Sequence, residues 1–334
     1  MKKVFGLILS VLLVCGCNNE EVIDNNQNDN LEENKTPIVE SVKVVDLNSK
    51  TRPVAVMINN HKTAQKVQTG LNDAYLVYEF IVEGGITRMM ALFKDADTAK
   101  IGTIRSSRHY YLDYALENDA IYVHFGWSEP ARQAISKLKI DNINGLYDSG
   151  YWRDNPENLA TEHTVYSSMK NINQNIQNKK YRNTLNKDLL LNYSAKEIDL
   201  STMEGAIKAE DVKIVYSSYQ TNNFVYDKDK KVYNKVVDWV TRKDYVTKEA
   251  FETKNIITYQ VKNYSPDGYL QELENIGSGT GYFISNGYAV PITWEKKSQD
   301  SQTVYKYLNG EEITVNDGIT YIQVQPLNKT IEIK

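Results

Sequence analysis

The sequence predicts an α+β protein: an N-terminal α/β layered domain with a mixed sheet, followed by a smaller mostly-β domain. Three observations point there. Between residues 51 and 192, short apolar β-branched runs alternate with segments of helical spacing. Two of those runs, 75–82 and 86–93, flank Glu83-Gly84-Gly85 and read as a hairpin. From residue 193 onward, strand-like runs follow one another with turn signals such as Pro266-Asp267-Gly268 and Asn309-Gly310.

Taken in order, the chain opens with Lys2 and Lys3 before an apolar run of eleven residues, 4–14. A spanning helix needs about 20 apolar residues, so this run fits a signal peptide covering 1–16. Val14-Cys15-Gly16-Cys17 has the form of a bacterial lipobox, in which Cys17 becomes the lipidated first residue of the mature chain. A bilayer is then the expected partner through the Cys17 acyl chains, and the outer face of the cytoplasmic membrane the expected location. Stable anchoring needs more than one acyl chain, which a lipoprotein cysteine carries. Residues 18–34 are mostly Asn, Asp, Glu and Gln without an aromatic residue, so they bury too little surface to offset their ordering entropy. The expected lipidated tether is 17–50; as a coil it spans about 30 Å, and extended on the order of 110 Å.

Residues 54–58 read as a buried strand, then the hairpin, then a strand at 101–104. Leu112, Ala115 and Leu116 give 109–117 helical spacing, and 120–125 is strand-like. Ser128 before Glu129-Pro130 is a helix N-cap, and Ser167 or Ser168 caps a helix running to Ile176. The polar stretch 174–186 leads to a domain boundary near Asn192. Beyond it, residues 248–251 suggest one helical turn and Gly277-Ser278-Gly279-Thr280-Gly281 a loop.

Composition narrows the function. The formal charge is −4 with no basic stripe, which argues against a nucleic-acid partner. The only cysteines are Cys15 and Cys17, so after cleavage and lipidation no thiol is left for disulfides, nucleophilic catalysis or zinc. There is no Walker A loop, Rossmann fingerprint, GxSxG elbow or HExxH spacing, and no cofactor or metal is expected. All four histidines and seven of the eight arginines lie before residue 183, which points to the first half for any chemistry, or else reflects a drift in composition in which the second half uses lysine.

Arg105-Ser106-Ser107-Arg108, at a strand-to-helix junction, suits an anion through free N–H groups, hydroxyls and guanidinium forks; plain helix capping fits it equally. Glu79 is the one charge in its apolar strand. With a two-residue Gly84-Gly85 turn it pairs with Met90, and Arg88 lies diagonal to it on the same face; a one-residue slip separates them. Glu79 is then either a structural ion-pair partner or part of a site. His124 ends an apolar strand, where α/β sheets bind ligands, yet a packed core histidine looks the same. His163 shares that ambiguity. Glu79 and His124 are the candidate acid–base residues, and Arg88, Arg105, Ser106, Ser107, Arg108 and His163 the candidate ligand contacts. A metal held by Glu79, Glu83, His124 and His163 has no supporting spacing. Tyr264, Tyr269, Tyr282, Tyr288 and Trp294 crowd one stretch, as sugar-stacking rings or as strand packing.

Four segments carry a family resemblance: residues 52–60, 82–88, 101–108 and 120–124, joined by Pro291-Ile292-Thr293-Trp294. They resemble the hallmark segments of the YerB-like lipoproteins, catalogued as domain of unknown function 3048. The likeness covers about 50 to 330 in family order, with Thr103 where a proline is expected. It implies a two-domain surface lipoprotein of mostly Gram-positive bacteria and transfers no catalytic residue. A strand ending in arginine before a helix is also similar, at pattern level, to the LytR-CpsA-Psr phosphotransferases. Three functions therefore stand: binding of an anionic envelope ligand, a hydrolase or phosphoryl or glycosyl transferase on the same residues, and a protein-binding scaffold built on the β half.

Overall fold

The computed structural model describes residues 41–334; the signal peptide expected at 1–16, the lipidation expected at Cys17 and the part of the expected tether up to residue 40 lie outside the described residues. Among the described residues no helix is long and apolar enough to cross a membrane.

Strands β1 (Val54–Asn59), β2 (Leu76–Ile81), β3 (Thr87–Phe93), β4 (Ile121–His124) and β5 (Asn142–Asn144) come from the first half. Strands β6 (Asp211–Val215), β7 (Thr221–Asp227), β8 (Val232–Val237), β9 (Asn255–Val261), β10 (Gly277–Ser285), β11 (Tyr288–Lys296) and β12 (Thr320–Pro326) come from the second. One eleven-stranded mixed sheet runs β11-β10-β9-β12-β2-β3-β1-β4-β5, with short strands Ile207–Lys208 and Val304–Tyr307 on β11. Strands β1 to β4 and β12 are buried at every residue, which is why they read as unbroken apolar runs.

The sheet is covered on both faces. On one lie α1 (Tyr111–Glu117) and α2 (Glu129–Leu138), packed over Tyr78, Phe80, Tyr259 and Trp294. On the other lie α3 (Met169–Asn178) and a second sheet containing β6, β7 and β8, packed over Val56, Val77, Met89 and Tyr321. Ser128 and Ser168 cap α2 and α3 by accepting from Ala131 N and Asn171 N. Strand β6 alternates buried and half-buried residues, as expected with one wet face.

Several expectations change. Residues 40–334 form one compact unit, and β12 lies hydrogen-bonded between β2 and β9, so the boundary placed near Asn192 is not a break in the sheet. Residues 41–50, assigned to the tether, are packed instead. Val45 is buried, Lys43 and Val44 donate backbone N–H bonds to the Asp317 carboxylate, and Lys94 Nζ donates to Ser49 O at 3.1 Å. The hairpin closes on a three-residue loop, Val82 N donating to Ile86 O, with Gly84 and Gly85 both at φ near +70°. That extra residue slips the register by one: Glu79 faces Met89, and Arg88 faces Phe80. Glu79 and Arg88 therefore point to opposite faces. Residues 277–281 are strand rather than loop. At Gly279 an added Cβ would sit 2.8 Å from the Trp294 indole nitrogen, and at Gly281 2.3 Å from Thr258 O. Residues 248–251 form no helical turn; Lys248 has a positive φ beside the buried Asp244.

Two buried ion pairs join the halves. Glu79, fully buried on β2, bonds Lys235 Nζ of β8 at 2.8 Å, while its other oxygen accepts from Asn60 Nδ2 and Thr87 Oγ1. Glu117, closing α1, bonds Lys296 Nζ at 3.0 Å and accepts from Tyr78 OH, Thr303 N and Thr303 Oγ1. Removing one partner of such a pair strands a charge in low dielectric. Lys235→Met is expected to destabilise the protein by about 3–5 kcal/mol in urea unfolding, and Glu79→Gln/Lys235→Met to recover most of that loss. Equal loss in both variants would mean that the pair does not carry the charge balance.

Candidate functional site

Strands β1, β2, β4, β5, β9 and β12 run in one direction, so their carboxyl ends share an edge. That edge is where open α/β sheets hold ligands. Residues 103–105 continue the sheet there beside β1: Asn59 N donates to Thr103 O at 2.8 Å, and Arg105 N to Met57 O at 3.0 Å. Phe125 N then donates to Arg105 O at 3.0 Å, wedging Arg105 between the ends of β1 and β4.

Three guanidinium groups gather on this edge. Arg88, opposite Asn59 across β1 and β3, is 5% exposed and donates from Nη1 to Ser106 O at 2.6 Å. Its Nε has no partner. Burial, then Arg108 and Arg105, push its pKa down to about 10, which leaves it charged at neutral pH. Arg108 forks onto Glu83, Nε to Oε1 at 2.8 Å and Nη2 to Oε2 at 2.7 Å. Burial opposes the charge on Glu83, but the Arg108 bonds outweigh it and hold the carboxyl below its usual range. The Arg105 guanidinium makes no hydrogen bond or ion pair among the described residues. Its pKa is lowered by burial first, with Glu162 working the other way.

His163 closes the row. It sits in the 3₁₀ turn Thr161–His163, with Nδ1 2.9 Å from Asn59 Nδ2 and its ring stacked 4.9 Å from His61. Burial, then His61, lowers its pKa. The second half also reaches the edge. Ser217 Oγ donates to Gly85 O, Tyr219 lies 6.4 Å from His61, and the hairpin of Asn263–Tyr264 and Glu272–Leu273 is tied in by His109 Nε2 to Glu272 Oε2 at 2.6 Å.

The remaining sequence candidates lie apart from this row or are consumed by it. Helix α1 is seven residues long and starts three residues after Arg108, with no side-chain cap, so its N-terminus is not the anion cradle expected there. Ser107 is buried: N bonds Gly126 O, O accepts from Ser128 N, and Oγ accepts from Tyr122 OH. Ser106 lends Arg88 its carbonyl rather than its hydroxyl. Glu79 is locked to Lys235 on the other face of the sheet. His124 is fully buried, with Nδ1 on Gly126 O at 2.8 Å and Nε2 on Asn142 Oδ1 at 3.2 Å, a packed histidine without an open nitrogen. With Glu79 and His124 occupied, neither is placed for acid–base work. The four-residue metal set is divided in the same way. Tyr264 and Tyr269 are exposed while Trp294 is core. A cleft of about 530 Å³ against α3, lined by Thr51, Arg52, Phe93 and Lys180, opens at the opposite edge.

Sequence reasoning missed His61, Asn59 and Tyr219. The rule that singled out His124, a histidine at a strand's carboxyl end, applies equally to Asn59-Asn60-His61 after β1.

This fold, a mixed sheet completed by strands of both halves with a polar carboxyl edge, defines a two-part α+β class. Residues 41–182 match the N-terminal domain, and residues 212–322 the C-terminal domain, of the family described as Protein of unknown function (DUF3048); the chain belongs to that family. It is 27% identical over 328 residues to "Putative lipoprotein YerB" of Bacillus subtilis (strain 168), covering 95% of this chain and 91% of that one. The crystal structure of YerB protein from Bacillus subtilis superimposes with a TM-score of 0.72 at 26% identity, covering 84% of this chain and 94% of that chain.

The state of His124 has a measurable consequence. Burial pushes its pKa down to about 4, against about 6.5 when unfolded. Between those values the unfolded chain binds the proton and the folded one does not, so His124 makes stability fall as pH drops from about 6.5 to 4, by about 3 kcal/mol in all. His124→Gln is expected to flatten that part of the stability–pH curve, followed by urea midpoints at pH 7 and 4.5. An unchanged slope would assign it to other groups.

Proposed function

We propose that this chain is a lipid-anchored protein of the outer face of the cytoplasmic membrane that binds an anionic envelope ligand on its arginine edge. The anchoring rests on the lipobox at Cys17 and on the printed name of the Bacillus relative. The binding rests on one observation above all: three arginines, Arg88, Arg105 and Arg108, share this edge with two carboxylates, Glu83 bonded to Arg108 and Glu162 acting on Arg105 without a bond, which leaves Arg88 Nε and the whole Arg105 fork without hydrogen-bond partners among the described residues. Unpaired donors and surplus positive charge at a strand edge suit an oxyanion. The enzymatic alternative has lost its acid–base pair, and no observation favours it.

Two experiments test this. Cys17→Ser should abolish incorporation of a palmitate analogue and release the protein from the membrane fraction; retained label would sink the anchoring. For binding, the full chain in detergent is titrated calorimetrically with inorganic pyrophosphate and with citrate. At least one should bind with an affinity that falls as salt rises. Arg105→Ala should weaken it about tenfold or more, as for one charge-assisted bond of about 1.5–3 kcal/mol, without changing the melting temperature. Binding of neither anion, or binding indifferent to Arg105, would overturn the reading.

A further inference from the structure

The stacked pair His61–His163 is the part of the edge that Arg88 and Arg108 do not explain. The rings lie 4.9 Å apart and 18° from parallel. Each has its Nδ1 engaged by a nitrogen donor. Asn59 Nδ2 lies 2.9 Å from Nδ1 of His163, and Thr63 N donates to Nδ1 of His61 at 3.2 Å. A ring nitrogen that accepts cannot carry the proton, so both neutral imidazoles hold it on Nε2. Asn59 Nδ2 also donates to Glu162 O, which fixes the amide with its nitrogen toward the ring. Neither Nε2 has a partner among the described residues. Two unpartnered N–H donors are thus carried by one pair of stacked rings.

The pair stands beside the free guanidinium. Asn59, which orients His163, is paired through its backbone with Thr103, two residues before Arg105. Arg105 also acts on the charge of His163, as does Glu162. A carboxylate offers about four lone-pair sites on its two oxygens, and an Arg105 fork fills two of them. Here the fork is accompanied by two further N–H groups and the spare Nε of Arg88, more donors than the remaining sites take up. Three terminal oxygens on one centre, carrying up to two negative charges, match that supply.

We propose that the ligand of this edge carries a phosphoryl group, held by the Arg105 fork together with the Nε2–H groups of His61 and His163. The proposal rests on the anion-binding reading above and adds the ligand's chemistry and two binding residues. The phosphoryl group can belong to a soluble phosphate ester or to a lipid headgroup. Tyr269, exposed on the hairpin that His109 ties down, lies within electrostatic reach of Arg105.

The test uses the full chain in detergent, labelled with ¹⁵N in its histidines. The ring nitrogens are followed during titration with inorganic pyrophosphate, N-acetylglucosamine 1-phosphate and citrate; vesicles containing phosphatidic acid, with neutral vesicles as reference, form the lipid arm. Phosphoryl probes should move the Nε2 signals of both histidines while Nδ1 keeps its acceptor shift, and should bind about tenfold tighter than citrate. His61→Ala, at a partly exposed position, should remove that preference while citrate binding persists. His163→Gln, which keeps a donor amide, should retain part of it. Preference for phosphatidic acid vesicles over the soluble esters assigns the group to a lipid headgroup, and the reverse to a soluble ester. Citrate binding as tightly as pyrophosphate, or Nε2 signals that stay still while Arg105-dependent binding occurs, overturns the phosphoryl assignment and leaves anion binding intact. No Arg105-dependent binding of any probe overturns both.

Discussion

Everything in this fold depends on where β12 pairs. Residues 320–326 lie parallel to β9 along their whole length and parallel to β2 over 76–80. A parallel strand cannot reach its neighbour by a tight turn and needs a long crossover. Here the crossover is residues 262–319 from β9 and residues 82–319 from β2, so β12 closes the sheet between segments far apart in the chain. The two buried Glu–Lys pairs sit on either side of that closure, Glu79–Lys235 on one face and Glu117–Lys296 on the other. Each joins a residue of the first half to one of the second, with its remaining oxygen bonded. Such pairs contribute little net stability over apolar packing, but a misdocked half would leave both charges stranded. A scaffold role for residues 193–334 alone is therefore hard to separate from the whole: without β2, β12 loses one of its two neighbours.

The same closure produces the arginine edge. Residues 103–105 extend the sheet beside the end of β1, and α1 follows at once, so Arg105 and Arg108 are set by backbone pairing rather than by a flexible loop. Arg88 arrives from β3, and its placement depends on one residue of loop length. A two-residue hairpin would have put Arg88 on the face of Glu79, where the two would have neutralised one another. The three-residue loop sends Glu79 to Lys235 and Arg88 to the edge. Positive φ at both Gly84 and Gly85 permits that loop, and an added Cβ at Gly85 would meet the Ser217 hydroxyl at 3.0 Å.

Much of the local structure was legible in the sequence because its signals are local. The buried strands, the Ser128 and Ser168 caps and the α+β class follow from runs of a few residues. The arginines drew notice because residue type alone advertises anion chemistry. What was not legible is whatever pairing distant in sequence decides. Glu79 could not be told from a site residue because Lys235, 156 positions away, gives no local sign. His124 looked the same buried as exposed, and the difference was made by Asn142 in the neighbouring strand. Residues 41–50 read as tether because regular patterning begins only at Arg52, while the groups that dock them, Asp317 and Lys94, lie elsewhere in the chain. Gly277 to Gly281 read as a loop because glycine runs usually are; here they make room for the Trp294 indole and for the neighbouring strand's backbone.

The docking of residues 41–50 also gives the molecule a direction. Asp317, which holds Lys43 and Val44, lies three residues before β12 begins, and Lys94, which holds Ser49, directly follows β3. Both belong to the edge where the parallel strands start. The arginines, His61 and His163 lie where those strands end, across strands of five to seven residues, or about 20 Å at 3.3 Å per residue. The chain thus enters the fold at the edge opposite its candidate site. A pull transmitted through residue 41 acts on the amino edge and leaves the carboxyl edge unobstructed. The contacts that dock residues 43–49 and the groups that make up the candidate site thus lie at opposite ends of the same parallel strands, so neither takes donors or acceptors from the other.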